Sequence, residues 1–308
     1  KAPKEITVDG KTYPFEEFLA TNKSVALLII HKDSIHFEEY WRNYSEESIV
    51  PSFSMAKSVL SILVGCAIED GLIPSVDIPV TKYIPELKGK GFDKVSIEQV
   101  LQMTSGLDYK ESYTNPFGDA ATFYYGRDLR KAIFNMELEV EPGTRFSYQS
   151  GNPQILGLVL DRALGDKTIS DYMEEKLWKP LEMEYNASWS LDKKKNGLEK
   201  TFCCLNARAR DFAKIGRLYL HGGRFKDKQI VPEEWVKKST QIDTTEASAW
   251  YYQYQWWLPS REGDFMAQGI LGQYIYVNPA KDLVIVRLGK STNNMGWSQI
   301  FRGIAAAY

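Results

Sequence analysis

A serine and a lysine stand three residues apart at the start of a long apolar segment. The segment, residues 50–71, reads "VPSFSMAKSVLSILVGCAIEDG", and the pair is Ser54 and Lys57. In a helix this spacing places both side chains on one face, within reach of each other. A lysine at the start of a buried helix is partly desolvated, which lowers its pKa towards that of a usable base. The pair could therefore be a nucleophile and its base, with the free N–H groups of the helix N-terminus stabilising an oxyanion.

The spacing alone is not specific. A second Ser-x-x-Lys pattern, Ser190 with Lys193, lies in a polar stretch that leads into "KKKNG". On local grounds a helix-capping Ser54 and a Lys57 that extends to solvent are the simpler interpretation of the first pair. What separates the first pair from the second is the apolar helix that follows it.

Other catalytic and metal-binding patterns are missing from the sequence. It contains no Gly-x-Ser-x-Gly elbow, no phosphate-binding glycine loop and no metal-ligand spacing. The histidines and cysteines are His31, His36, His221, Cys66, Cys203 and Cys204. Because Cys203 and Cys204 are adjacent, they are poorly placed to pair with each other. We expect no metal site and no cofactor.

The composition is that of an ordinary globular protein. Of the 308 residues, 44% are hydrophobic and 25% are charged, and the net charge is −2. This charge gives no indication of a nucleic-acid partner or of an anionic membrane surface. The longest uncharged apolar run, Ser58 to Ile68, is too short to span a membrane.

The periodicity of apolar residues predicts strands near both ends and helices between them. Residues 24–41 predict a hairpin, and several strands followed by a closing helix are predicted after residue 250. Helical patterns recur at 54–70, 96–104, 153–164, 169–178 and 207–221. We therefore expect an α+β fold and one catalytic unit over 1–308. Its antiparallel sheet and packed helices come from 1–50 and 245–308, and 51–244 is an inserted, mainly helical region.

Five segments, in order along the chain, resemble those of the class C β-lactamase-like serine hydrolases. They read "SFSMAKSVLSILVGCAIEDGLI", "VSIEQVLQMTSGLDY", "PGTRFSYQSGNPQILGLVLDRALG", "CLNARARDFAKIGRLYLHGG" and "QYIYVNPAKDLVIVRLG". That group includes β-lactamases, DD-peptidases, carboxylesterases and 6-aminohexanoate-dimer hydrolases. The resemblance implies a β-lactamase/transpeptidase-like fold and a serine hydrolase that forms an acyl-enzyme.

The resemblance also implies roles for individual residues. Ser54 matches the acylated nucleophile, and Lys57 matches the partner that helps to remove its proton. Tyr148, in "SYQSGN", matches the Tyr that opens a Tyr-x-Asn motif; it would act with Lys57 as general base and would protonate the leaving group. Ser150 stands where many relatives carry Asn, which puts the hydrogen-bonding role of that position in doubt.

The third motif of the family, typically Lys-Thr-Gly or His-x-Gly on an edge strand, is assigned to "ILGQ", residues 270–273. Ile270 then replaces the cationic residue, Gly272 supplies the bare backbone beside a substrate, and the N–H of Gln273 is the second oxyanion donor. Since isoleucine cannot pair with a substrate carboxylate, we expect hydrolysis of esters or linear amides and weak or no β-lactamase activity.

Two alternatives stay open at this point: a β-lactamase or DD-peptidase-type penicillin-binding protein, and a catalytically silent binding module on the same fold. Tyr109, Tyr113 and Trp297 are further candidates for the wall of the pocket. The expected partner is a small-molecule ester or amide. The resemblance favours an extracytoplasmic location, periplasmic or secreted, and the sequence does not give the oligomeric state.

Overall fold

The computed structural model describes residues 2–245 and 247–308 of the chain. In chain order the strands and helices of this part are β1 (Glu5–Val8), β2 (Lys11–Pro14), α1 (Phe15–Thr21), β3 (Ser24–His31), β4 (Ser34–Tyr40), β5 (Val50–Pro51), α2 (Met55–Glu69), α3 (Ile97–Leu101), α4 (Asp119–Tyr125), α5 (Leu129–Phe134), α6 (Gly151–Leu164), α7 (Ile169–Met173), β6 (Ser188–Trp189), β7 (Leu205–Ala207), α8 (Ala209–Leu220), β8 (Arg224–Phe225), β9 (Lys228–Gln229), α9 (Glu233–Thr240), β10 (Tyr252–Gln253), β11 (Trp256–Trp257), β12 (Phe265–Gly269), β13 (Gln273–Asn278), β14 (Leu283–Gly289) and α10 (Trp297–Ala305). A π-helical turn, Glu174–Trp178, continues α7.

Seven antiparallel strands form the main sheet, in the order β10-β11-β12-β13-β14-β3-β4. Strand β3, from the N-terminal part, pairs with β14, from the C-terminal part, so the two ends of the chain meet in the middle of the sheet. The expected α+β fold, with one antiparallel sheet built from both ends, is confirmed.

The two faces of this sheet carry separate hydrophobic cores because side chains alternate along each strand. In β3, Leu28 and Ile30 belong to the larger core, which includes buried residues of α2 and α8. Leu27 and Ile29 belong to the smaller core on the opposite face, which α1 and α10 cover. Helices thus pack on both faces, and α2 lies in the larger of the two cores.

Helix α2 is buried on all sides. Every residue from Met55 to Ala67 is buried, and an ideal Cβ at Gly65 would lie 2.5 Å from the indole of Trp235. A helix with no exposed face is typical of the centre of a large core. Its first turn therefore holds the Lys57 side chain away from bulk water.

Most of the predicted elements are confirmed. The hairpin of 24–41 is β3 and β4, and its turn residues Lys32 and Asp33 both adopt positive φ, as a tight two-residue turn requires. The predicted helices correspond to α2, α3, α6, α7 with its π turn, and α8. All seven strands of the main sheet lie within 1–50 and 245–308, whereas the division into two parts at these boundaries stays a prediction.

No helix among residues 2–245 and 247–308 is long and apolar enough to cross a bilayer.

Candidate active site

Ser54 immediately precedes α2, with its side chain free of any capping bond to the helix. Phe53, just before it, has φ +45°, a left-handed conformation that bulky residues rarely adopt and that clusters at functional sites. The Nζ atom of Lys57 donates to Ser54 Oγ at 2.7 Å. The simpler local interpretation, a capping serine beside a solvent-exposed lysine, is therefore wrong.

The second hydrogen bond of Lys57 goes to a backbone carbonyl. Its Nζ donates to Phe202 O at 2.8 Å, and the side chain is only 1% exposed. No ion pair with a carboxylate joins Lys57 among the residues that the structure describes. Burial lowers the pKa of Lys57 to about 8, and the charge of Glu111 opposes that change. This lysine is therefore suited to accept a proton near neutral pH.

Tyr148 lies beside the same pair. Its ring centroid is 5.2 Å from Lys57 Nζ, and the ring packs against Tyr252 and Trp257, with centroids 5.8 and 5.3 Å away. Burial raises the pKa of Tyr148, and the side chain of Ser54 acts in the opposite direction. The phenol therefore stays protonated at physiological pH, next to both Ser54 and Lys57. The structure brings together the three residues that the resemblance singled out.

Ser150 is engaged by an acidic residue that the sequence analysis did not identify. The N–H and the Oγ of Ser150 donate to Glu111 Oε2 and Oε1, each at 2.7 Å. Tyr113 OH donates to the same carboxylate. The sequence gives no signal for this contact, since Glu111 lies 39 positions from Ser150 in a polar loop.

The strand that lies beside Ser54 is β12. An ideal Cβ at Gly269, its last residue, would be 3.2 Å from Ser54 N and 2.3 Å from Ser52 O, so only glycine allows this approach. The next residue, Ile270, is 40% exposed and lines a pocket together with Ser54. The backbone amide that follows the close approach is therefore that of Ile270.

Gly272 and Gln273 have contacts that differ from the roles expected for them. Gly272 faces Arg287, whose Nη1 donates to Gly272 O at 2.7 Å and would lie 1.9 Å from an ideal Cβ. Gln273 belongs to β13 and pairs with Gly269. Its side-chain amide exchanges two hydrogen bonds with the backbone of Gly289. The glycine of the sequence pattern lies in a turn against a buried arginine, and the glycine beside Ser54 is three residues earlier.

A pocket of ≈380 Å³ opens beside Ser54. Small and aromatic side chains form most of its wall, and among the residues that the structure describes no Lys, Arg or His lines it. The aromatic residues in the wall are Phe53, Tyr109, Tyr113, Tyr124, Tyr125 and Phe202. Such a wall suits an uncharged organic group.

Two of the three further candidates for the wall do lie there. Tyr109 is buried and Tyr113 is 60% exposed, and both line the pocket. Trp297 does not: it lies in the smaller core on the opposite face of the sheet, where it stacks on the guanidinium of Arg287 at 3.6 Å. The expectation for Trp297 is wrong because α10 directs this indole into the core that closes the sheet from behind.

One wall of the site includes Cys203, the first of two adjacent cysteines. The structure joins Cys203 and Cys204 by a disulfide, with Cα atoms 3.8 Å apart, so the expectation that they do not pair is wrong. The left-handed backbone of Cys204, φ +70°, accompanies this pairing and has no sequence signal. Cys203 lines the pocket beside Phe202, the residue whose carbonyl accepts from Lys57. The segment thus contacts both the pocket and Lys57.

The second Ser-x-x-Lys pattern has none of these surroundings. Ser190 is exposed, and Lys193 forms a surface ion pair with Asp128 at 3.5 Å. A larger open cavity of ≈1090 Å³, beside α7, contains no residue of the Ser54 site.

The histidines offer no alternative chemistry. His31 and His36 pack against each other, with centroids 5.0 Å apart, and His221 Nε2 is 2.9 Å from Asp33 Oδ1. Over residues 2–245 and 247–308 no group of three or more His, Cys, Asp or Glu could hold a metal ion.

Comparisons with known proteins agree with this geometry. The family model described as Beta-lactamase matches residues 15–307. A 6-aminohexanoate-dimer hydrolase of Paenarthrobacter ureafaciens is 28% identical over 294 residues, which cover 89% of this chain and 74% of that protein.

Two solved structures have similar folds. A candidate 6-aminohexanoate-dimer hydrolase from Bacillus anthracis superposes with a TM-score of 0.88 at 24% identity, over 98% of this chain and 84% of that one. A family VIII carboxylesterase superposes with a TM-score of 0.69 at 16% identity, over 90% and 88% of the two chains.

Proposed function

Because the chain belongs to the Beta-lactamase family and is a serine hydrolase related to the β-lactamases, we propose that it cleaves esters or linear amides through an acyl-enzyme on Ser54. The observation that carries this proposal is the 2.7 Å hydrogen bond between Lys57 Nζ and Ser54 Oγ. The lysine is buried and its pKa is lowered to about 8. A buried, easily deprotonated amine in contact with a hydroxyl is an arrangement that activates a nucleophile.

In the first half of the reaction, Ser54 Oγ attacks the substrate carbonyl carbon. Its proton passes to the Lys57–Tyr148 pair, in which neutral Lys57 is the acceptor. The C–O or C–N bond then breaks, and the same pair returns the proton to the leaving alcohol or amine, with Tyr148 as the donor. In the second half, water attacks the acyl ester, the acid is released and the Ser54 hydroxyl is restored.

The oxyanion of each tetrahedral intermediate is held by two backbone amides. We assign them to Ser54 and Ile270, in place of the Gln273 amide of the sequence prediction. The support for this assignment is the contact of Gly269 with Ser54 N, which brings the end of β12 to the nucleophile. Preorganised amides in a site that excludes water stabilise such charge more strongly than solvent does.

The substrate class follows from the pocket. Residues that the structure describes there include no Lys, Arg or His, and Ile270 is uncharged. A carboxylate next to the reacting carbonyl, as β-lactams and D-peptides carry, would have no charged partner. The names of two relatives, a 6-aminohexanoate-dimer hydrolase and a family VIII carboxylesterase, also support substrates other than β-lactams.

A substrate panel tests this proposal. We expect p-nitrophenyl butyrate to be hydrolysed with a kcat/KM at least 100-fold above that of a chromogenic cephalosporin. The kcat/KM of a linear anilide should lie between these two values. Ser54→Ala should abolish turnover of the ester, whereas Ser190→Ala, the matched change in the second Ser-x-x-Lys pattern, should leave it unchanged. A kcat/KM for the cephalosporin equal to that for the ester would contradict the proposed substrate class. No turnover of any substrate would favour the silent binding module.

A further inference from the structure

Glu111 places a carboxylate close enough to Lys57 and Tyr148 for its charge to act on both side chains. We propose that Glu111 is a specificity-determining residue whose charge selects against substrates with an anionic acyl group. This inference rests on the proposed function. The observation behind this inference is the position of Glu111 among residues that line the pocket, together with the kind of groups that hold it there.

Neutral donors fix the carboxylate in place. Ser150 contributes its N–H and its hydroxyl, one to each oxygen at 2.7 Å, and Tyr113 contributes its phenol. Ser150 and Tyr113 both line the pocket that contains Ser54. Acceptance at both oxygens is the bonding pattern of an ionised carboxylate. Among the described residues no Lys, Arg or His forms a contact ion pair with it, so these donors orient its charge without cancelling it.

The negative charge of Glu111 acts on Lys57 and Tyr148. It opposes the effect of burial on the pKa of Lys57, and it adds to the rise in the pKa of Tyr148. The titratable groups that face it from the surrounding elements are Lys57 of α2, Tyr148 before α6, Tyr109 and Tyr113 of the same loop, and Tyr252 of β10. Asp119 of α4 is a second acidic neighbour of Tyr109. Lys57 is the cation in this set.

An anionic acyl group would therefore enter a pocket with a negative charge directly behind two of its wall residues, Ser150 and Tyr113. Like charges at short range repel each other, and the repulsion grows as less water lies between them. The lack of a cation at Ile270 only removes an attraction, whereas Glu111 adds a repulsion, and discrimination between substrates often depends on such a repulsive element. A neutral acyl group of the same shape meets no such barrier.

The test compares two esters of the same shape with the wild-type chain and with E111Q. The anionic ester is p-nitrophenyl hydrogen adipate, and the neutral one is its terminal amide. We expect wild type to prefer the amide at least tenfold in kcat/KM, and E111Q to reduce that preference at least fivefold. The matched control is D108N, which removes a surface carboxylate of the same loop that pairs with Lys110; it should leave the preference unchanged.

A second readout separates this role from a merely structural one. Because the charge of Glu111 holds the pKa of Lys57 up, E111Q should move the acid limb of the kcat/KM profile for the neutral ester to lower pH. A folded, active E111Q with the wild-type preference and the wild-type limb would overturn the inference. Equal rates of wild type with the two esters would overturn it without any variant, whereas a wild type inactive on both would overturn the proposed function as well.

Discussion

Lys57 is buried in the first turn of α2, with a serine hydroxyl and a backbone carbonyl as its hydrogen-bond partners. A charged ammonium is costly in such surroundings, because neither partner carries a compensating charge. The neutral amine is correspondingly favoured, which is why the pKa falls to about 8 rather than the usual 10.5. A structural lysine gains nothing from this position, whereas a general base does.

The pH dependence of the reaction follows from this pKa. Below pH 8 or so Lys57 is protonated and cannot accept the Ser54 proton, so kcat/KM for a neutral ester should rise with pH and level off above that value.

Lys57→Met should lower kcat by about 10³-fold, within the range of general-base catalysis, and Lys193→Met should have no effect. Rates measured with p-nitrophenyl butyrate between pH 6 and pH 10 check both. A pH profile whose rise is centred on the pKa of an ordinary lysine would contradict the assignment of Lys57 as the general base.

At the scale of elements, the site depends on one junction between a helix and a strand. The N-terminus of α2 supplies Ser54, and the end of β12 approaches it at Gly269, where no side chain fits. The turn that follows β12 is fixed from behind by Arg287, which donates to Gly272 O and to Asn22 O, each at 2.7 Å. The distance between the nucleophile and the Ile270 amide is therefore set by backbone packing.

A methyl group at Gly269 should push these two elements apart. Gly269→Ala places a Cβ 2.3 Å from Ser52 O, so we expect kcat to fall at least 100-fold, with a smaller change in KM. The matched control is Gly303→Ala in α10, where a Cβ meets no atom within 4 Å; it should stabilise the protein by roughly 0.5–1 kcal/mol and leave kcat unchanged. Steady-state kinetics and urea unfolding of both variants decide this. Full activity in Gly269→Ala would show that the junction is not the site of oxyanion binding.

The longest helices and the strands of the main sheet were largely predictable from the sequence, because each has a local signal. The short apolar run of β3, which ends at the polar turn Lys32-Asp33, and the longer apolar run of α2 indicate a strand and a helix directly. No such local signal identifies the glycine that lies beside Ser54. Gly269 and Gly272 lie three residues apart, and only the close approach of Gly269 to Ser54 in the folded chain shows which of them lies beside that serine. Glu111 escaped prediction for the same reason, since its contact with Ser150 is made across 39 positions.

At the scale of the whole molecule, the two ends of the chain close one sheet, and the helices between them cover it. The larger core holds α2, Tyr148 packs in a third small cluster with Tyr252 and Trp257, and the smaller core of α1 and α10 supports the sheet from behind. Trp297 was assigned to the wrong one of these two faces, because a sequence shows that an indole is apolar but not which side of a sheet its helix covers. Which residues line the pocket is a property of the complete fold.

The central claim is that Ser54 carries the acyl group, and mass spectrometry of the labelled protein tests it most directly. Incubation of the intact chain with a fluorophosphonate should add the mass of one phosphonyl group, and peptide mapping should place it on Ser54. Ser54→Ala should take up no label, whereas Ser190→Ala should be labelled as the wild type is. A label on any residue other than Ser54, or none on a folded wild-type chain, would contradict the account.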